Sequence, residues 1–259
     1  MENIPTCAQY AKDLFSYLRT REHAILYNER GREEQMDVSS VDREKVIEWI
    51  SEMQTRFKLR DETLYLAVNI FDRYLQTGQI KDNQYFLIGI ASILIASKYE
   101  EIYPPHLKQL LLHIDTTAKE VHAMELKVLK ALNFDISVPT VLVFLERHKK
   151  FFSCDENRFN LALYVCEGQL LSGIMSKYKP SLLAVTGLYI AERAMNKDYE
   201  LNEALLNQLD HSKDDIINCA QEMLNNMLVK ERILLSNIRK KYVKFKDIVK
   251  IALDSISVY

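Results

Sequence analysis

The side chains that could act as nucleophiles, bases or metal ligands are few and scattered. None of His23, His106, His113, His122, His148 and His211 belongs to the H-E-x-x-H pair that would hold zinc on one helix face. His106 and His113 fall two turns apart on one expected helix, but a metal needs further ligands and no third is suggested nearby. The cysteines Cys7, Cys154, Cys166 and Cys219 lack C-x-x-C spacing and read as reduced thiols of a cytosolic or nuclear protein. The sequence holds no G-x-S-x-G elbow and no Gly-rich phosphate cradle of either common type. The expectation is a protein that is not an enzyme, with no metal and no cofactor.

One charge stands out instead. In ILIASKYEEIYPP, Ile93 to Pro105, Lys98 closes a run of 15 uncharged residues from Asn83 to Ser97. That run is short for a membrane span, which takes roughly 20 apolar residues. It reads as a helix buried on all sides, from Asp82 to Glu101, stopped by Pro104 and Pro105. Either Lys98 merely complements the end of that helix, or it is aimed at a partner.

The elements around it are helical. Only 6 Gly and 5 Pro occur in 259 residues, too few for the turns of an all-β protein. Tyr10, Leu14, Tyr17 and Leu18 make an amphipathic stripe on a first helix, followed by a polar loop from Asn28 to Ser40. Val46, Ile50, Met53 and Phe57 mark a second helix, with Ser40 or Asp42 as cap. Asp61-Glu62 opens a third, ended at or near Gly78, and Pro105 fits the first turn of HLKQLLLHI. Thr117 can cap a helix carrying Val121, Met124, Val128 and Leu132. NFDISVPT, residues 133–140, reads as a short β-favouring connector, and further helices follow: one after Pro139, one from Asn157 to Ser172, and KPSLLAVTGLYIAERAM. Gly89, Ser92 and Ala96 recur in spacing as Ala184, Gly187 and Ala191, a weak internal repeat. The reading is all-α, with an N-terminal helix and linker (1–40) and two five-helix bundles (41–136 and 137–259).

Composition sets the remaining bounds. With 48% hydrophobic and 27% charged residues the chain can build a soluble core. Its net charge of −2 gives no bulk attraction to nucleic acid or anionic membrane, and neither is expected as a partner. Arg239, Lys240, Lys241, Lys244 and Lys246 interleave with Tyr242 and Phe245, and read as a solvated face of a terminal helix. MENIPTCAQYAKDLF lacks the basic flank and apolar core of a signal peptide.

DETLYLAVNIFDRYL, ASKYEEIYPP and MELKVLKALNFDISVPT, in this order and spacing, resemble the cyclin box of A- and B-type cyclins, most like the B type. YAKDLFSYLR is similar to the helix that precedes the box in that family. The resemblance implies two tandem cyclin boxes and a non-catalytic subunit, working in nucleus and cytoplasm, that binds and activates a cyclin-dependent kinase. The activator holds the kinase helix αC, of the PSTAIRE type, in its active position. Lys98 and Glu125 match the family's charged pair at the kinase interface. Ile95, Tyr99, Glu100, Leu129, Phe134 and Ile136 match neighbouring positions, with core packing the competing role for the apolar ones. Tyr10, Leu14 and Tyr17 match positions that pack either on the kinase or on the box.

The family's substrate- and inhibitor-docking patch corresponds here to DREKVIEW, with Val46, Trp49, Glu52 and, on a facing helix, Phe86. Asp42 stands where a methionine is usual and Phe86 where a glutamine is usual, so R-x-L peptides are expected to dock weakly. Arg56-Phe57-Lys58-Leu59 fits R-x-x-L, but at the end of a packed helix. The alternative reading is a transcription-associated protein of the same fold: a polymerase-tail kinase cyclin or a factor resembling general transcription factors. The last of these would need a basic surface or zinc ribbon that the sequence does not supply.

Overall fold

The computed structural model describes residues 8–23, 40–77, 84–113, 116–150, 152, 154–172, 174, 177–231 and 237–245. The expected loop residues 28–39, Gly78, Asp82, Cys7 and Lys246 lie outside them. All regular structure among the described residues is helical: α1 Ala8–His23, α2 Ser40–Phe57, α3 Asp61–Leu75, α4 Tyr85–Glu100 and α5 Leu107–Leu110 with a 3-10 turn at Leu111–His113. The others are α6 Ala118–Ala131, α7 Val141–His148, α8 Glu156–Gly168, α9 Pro180–Met195, α10 Glu203–Leu209, α11 Lys213–Glu231 and α12 Asn237–Lys241, followed by a 3-10 turn at Val243–Phe245.

The first bundle is built around α4. Every residue from Ile88 to Ser97 is buried, because α2, α3 and α6 all pack on this helix. Its two buried hydroxyls return to their own helix: Ser92 donates to Ile88 O and Ser97 to Leu94 O. In the second bundle α9 takes that place, buried from Pro180 to Arg193 by α7, α8 and α11. The two small-residue stripes explain the close packing in both. A Cβ added to Gly89 would lie 2.5 Å from Val46 Cγ1, and one added to Gly187 would lie 2.5 Å from Cys166 Sγ. Larger residues would push the neighbouring helix away.

Some boundaries differ from the sequence reading. Pro105 precedes α5 instead of starting it, and His106 is the N-cap, its N–H donating to the Gln109 side chain. The helix expected to reach Ser172 stops at Gly168, and Asp155 caps its start by accepting from Arg158 N at 2.8 Å. Residues 133–140 form the expected connector; Asn133 and Phe134 both take positive φ, 52° and 58°, and terminate α6. Thr117 does cap α6, with Glu120 accepting from Thr117 N in return. Leu59 of the R-x-x-L match is only 7% exposed, so that tetrapeptide offers no accessible signal in the folded chain.

The two bundles are joined by ionic keys that the sequence reading missed. Arg43 of α2 makes a two-pronged pair with Asp72 of α3, both contacts 2.8 Å, and donates to the carbonyls of Leu170 and Leu171 beyond α8. A signal existed: Arg43 shares its helix face with Val46, Ile47 and Ile50, which are core residues. The C-terminal half of α1 anchors to the second box in a similar way. The carboxylate of Glu22, 2% exposed, accepts from Ser181 N and Oγ at the start of α9, and Ser181 Oγ lies 3.0 Å from His211 Nε2. Arg19 donates to Leu209 O and pairs with Asp210.

This junction has a pH signature. Burial, with Arg19 nearby, pushes His148 down to about 3 and His211 down to about 4. Unfolded histidine takes up a proton near 6.5, so between roughly pH 4 and 6.5 the unfolded chain binds more protons. Stability from these groups is therefore complete above 6.5 and falls as pH drops. For His148, 3% exposed, the slope approaches about 1.4 kcal/mol per pH unit. Urea unfolding at about pH 5 should give a lower midpoint than at about pH 7, and His148→Phe should lessen the difference. A pH dependence that His148→Phe leaves unchanged would contradict the burial of that ring.

Candidate interaction surface

Lys98 leaves the core where α4 ends. The residue before it, Ser97, is fully buried, while the Lys98 side chain is 46% exposed. Its Nζ donates to Glu125 Oε1 at 2.6 Å, and Glu125, on α6, is 13% exposed. The other Glu125 oxygen lies 3.3 Å from His122 Nδ1. The two residues singled out from sequence thus meet, 27 positions apart, on adjacent helices.

The end of α4 is held firmly. Glu101, the residue after the helix, accepts from Arg60 N at 2.8 Å and from Thr63 Oγ1 at 2.6 Å. It therefore satisfies a backbone donor at the start of α3, a position that favours negative charge. Glu100 is 24% exposed and faces Arg60 at 3.8 Å; burial nonetheless pushes its carboxyl above the usual range.

Around the pair lies exposed apolar surface. Tyr99 is 51% exposed, and Ile102 and Tyr103, in the bend before the double proline, are 87% and 90% exposed. Leu129 sits one turn beyond Glu125, half-buried, and its carbonyl accepts from Phe134 N at 2.8 Å. That bond and the positive φ display the Phe134 ring, 61% exposed, at the end of α6. Ile136 is half-buried beside it. Exposed aromatics around a charge that is half removed from water are the composition of a docking surface.

The stripe on α1 is exposed as well. Arg21 donates to Asp135 Oδ1 at 2.5 Å and to Ser137 O at 3.2 Å, tying the helix to the connector that carries Phe134. Tyr10, Leu14 and Tyr17 are 64%, 53% and 59% exposed, so the box does not cover them.

Two expected contact residues belong to the core instead. Ile95 is 4% exposed, because it lies on the part of α4 that is enclosed on all sides. Val46 is 0% exposed and faces Gly89, so it gives no surface to the docking patch. What remains of the patch is the half-buried Trp49, packed edge-to-face on Phe86 with centroids 6.4 Å apart, and the exposed Glu52. Asp42 is engaged with Lys45 at 3.2 Å. Phe86 thus covers one side of the indole that a docking peptide would use.

The basic C-terminal stretch is only partly a solvated face. Lys240 and Lys244 are exposed, but Lys241 bonds Asp61 and the fully buried Glu167, and Tyr242 and Phe245 are each 8% exposed. Aromatics packed this way cannot stack on bases. Among the described residues, no cluster of metal-ligating side chains occurs and no helix is long and apolar enough to cross a membrane.

Two domain families match the chain in succession: the cyclin N-terminal domain over residues 13–137 and the cyclin C-terminal domain over residues 139–253. The chain belongs to the cyclin family. Its two helical bundles are tandem cyclin boxes. Among similar proteins, the G2/mitotic-specific cyclin-B of Spisula solidissima is 32% identical over 255 residues, covering 97% of this cyclin and 59% of the relative. The cyclin-B of Dictyostelium discoideum is 34% identical, covering 93% and 56%. Cyclin-B1 of Xenopus laevis is 29% identical, covering 95% and 62%. The chain therefore spans about three fifths of the length of these relatives. A viral cyclin from herpesvirus saimiri shares the fold at a TM-score of 0.71 and 22% identity, covering 83% of this cyclin and 96% of the viral chain. A chain of the yeast RNA polymerase II CTD kinase complex CTDK-1 shares it at 0.63 and 14% identity, covering 90% and 81%.

Proposed function

We propose that this cyclin is a non-catalytic subunit that binds a cyclin-dependent kinase and switches it on. The observation that carries the reading is the Lys98–Glu125 pair, surfacing among Tyr99, Ile102, Tyr103 and Phe134 on two helices that the core holds rigid. A lysine donates to backbone carbonyls and a carboxylate accepts from backbone N–H groups, so the pair can fix a kinase segment in register. The segment is the PSTAIRE-type helix αC, whose inward position completes the Lys–Glu ion pair that positions ATP. Binding one arrangement of that helix better than the other shifts the kinase population toward activity. The B-type relatives favour a cell-cycle kinase, and the likeness to the polymerase-tail kinase complex extends to the fold alone. Buried Cys166 and Cys219 are free thiols, compatible with work in nucleus and cytoplasm. Phe86 over Trp49 favours a partner list without R-x-L substrates or inhibitors.

Co-expression with a kinase carrying the PSTAIRE helix should give a heterodimer that co-elutes on size exclusion and phosphorylates a protein substrate faster than the kinase alone. No complex at micromolar concentration would defeat the proposal.

A further inference from the structure

The C-terminal segment 237–245 returns from the second box to the first. The Asn237 side chain donates to Ser51 O at 3.0 Å and Thr55 Oγ1 at 2.9 Å on α2, and its N–H reaches Glu48. Lys241 then bridges the boxes, 2.8 Å from Asp61 of α3 and 2.7 Å from Glu167 of α8. Tyr242 adds a hydrogen bond to the same Glu167 oxygen at 2.8 Å and packs on Tyr164.

The link to the interaction surface runs through one turn of helix. Asp61 is the first residue of α3 and also accepts from Gln54 Nε2 at 3.2 Å. Its neighbours Arg60 and Thr63 are the donors that hold Glu101, three residues beyond Lys98. The C-terminal segment and the end of α4 therefore grip the same turn from two sides.

We propose that Lys241 is a positioning residue for the Lys98 surface: by holding Asp61, the docked segment fixes the first turn of α3, and that turn fixes Glu101 and the end of α4. The device has two states. Glu167 is 0% exposed, and removing Lys241 would leave a buried carboxylate without its cation. In the proposed second state the segment is released, and Glu167 loses the donors Lys241 and Tyr242 together. A ligand that needs the end of α4 fixed favours the docked state, and docking favours that ligand by the same factor. The inference rests on the kinase-binding reading for its ligand but not for its geometry.

The test uses the full chain and hydrogen exchange, with Asp61→Asn as the main variant, since it keeps both volume and the Lys241–Glu167 bond. In the free cyclin, Asp61→Asn should speed exchange at amides 98–103 about fivefold, and the same change should weaken affinity for the PSTAIRE-helix kinase by a similar factor. Kinase binding should slow exchange across 237–245. Lys241→Met should reproduce the loss of affinity; if it does not fold, Asp61→Asn alone decides. Unchanged exchange at 98–103 in Asp61→Asn overturns the inference. If the unaltered cyclin fails to bind the kinase while Asp61→Asn still loosens 98–103, the coupling stands and the kinase reading falls.

Discussion

Replacing Lys98 and Glu125 with alanine together is expected to abolish kinase activation at working concentrations while leaving the cyclin folded. Truncating one member of a desolvated, hydrogen-bonded charge pair at an interface costs about 2–5 kcal/mol, a loss of affinity of roughly 30-fold to several thousand-fold. In the free chain the same pair is worth little. Lys98 is 46% exposed, and pairs of that kind contribute about 0–1 kcal/mol. The double variant should therefore melt close to the unaltered cyclin yet bind weakly by titration calorimetry. Glu125→Ala alone should be the more damaging single change, because Glu125 is the more enclosed partner and also faces His122. Binding within threefold of the unaltered cyclin would place the interface elsewhere on the molecule.

The largest effect on stability should come from Arg43→Met. The Arg43 and Asp72 side chains are 12% and 17% exposed, and the guanidinium also satisfies two carbonyls beyond α8. The change leaves Asp72 as an enclosed charge with its cation gone and strips donors from Leu170 and Leu171 O. Breaking a buried pair from one side costs about 3–5 kcal/mol, which corresponds to a fall in melting temperature on the order of 10 °C for a chain of this size. Pairing Arg43→Met with Asp72→Leu should recover part of the loss, since it removes the stranded charge. If the single variant melts within about 2 °C of the original, Arg43 is not the joint between the boxes.

Much of the architecture is legible in the sequence. Apolar spacing and the double proline located α4, and the Thr117–Glu120 capping pattern started α6 where expected. Helical periodicity reports burial, and Ile50 and Met53 on the stripe of α2 are core residues. The family resemblance sets Ile95 beside Tyr99 as matched positions, but it does not tell a residue its own bundle buries from an exposed one, and the two are 4% and 51% exposed. The ionic keys were missed for another reason. Arg43, Glu167 and Glu22 lie on apolar faces of their helices, but their partners stand far away in sequence, up to 159 positions for Glu22 and Ser181. Pattern reveals that such a charge must find a partner and not which one it finds. The connector 133–140 is legible as a connector, but not its chain reversal, because positive φ at Asn133 and Phe134 leaves no periodic pattern.

On the kinase-binding reading proposed above, that reversal sets two kinds of selection against each other. Phe134 holds a left-handed backbone conformation, φ 58°, that is strained for a bulky aromatic residue and free for glycine. Glycine there would ease the backbone and take away the ring. A lineage that did not use this face would be free to drift toward glycine at 134, whereas one that uses it would carry the strain. The residue at 134 is thus a marker, readable in descendants without any assay, of whether this face is still in use.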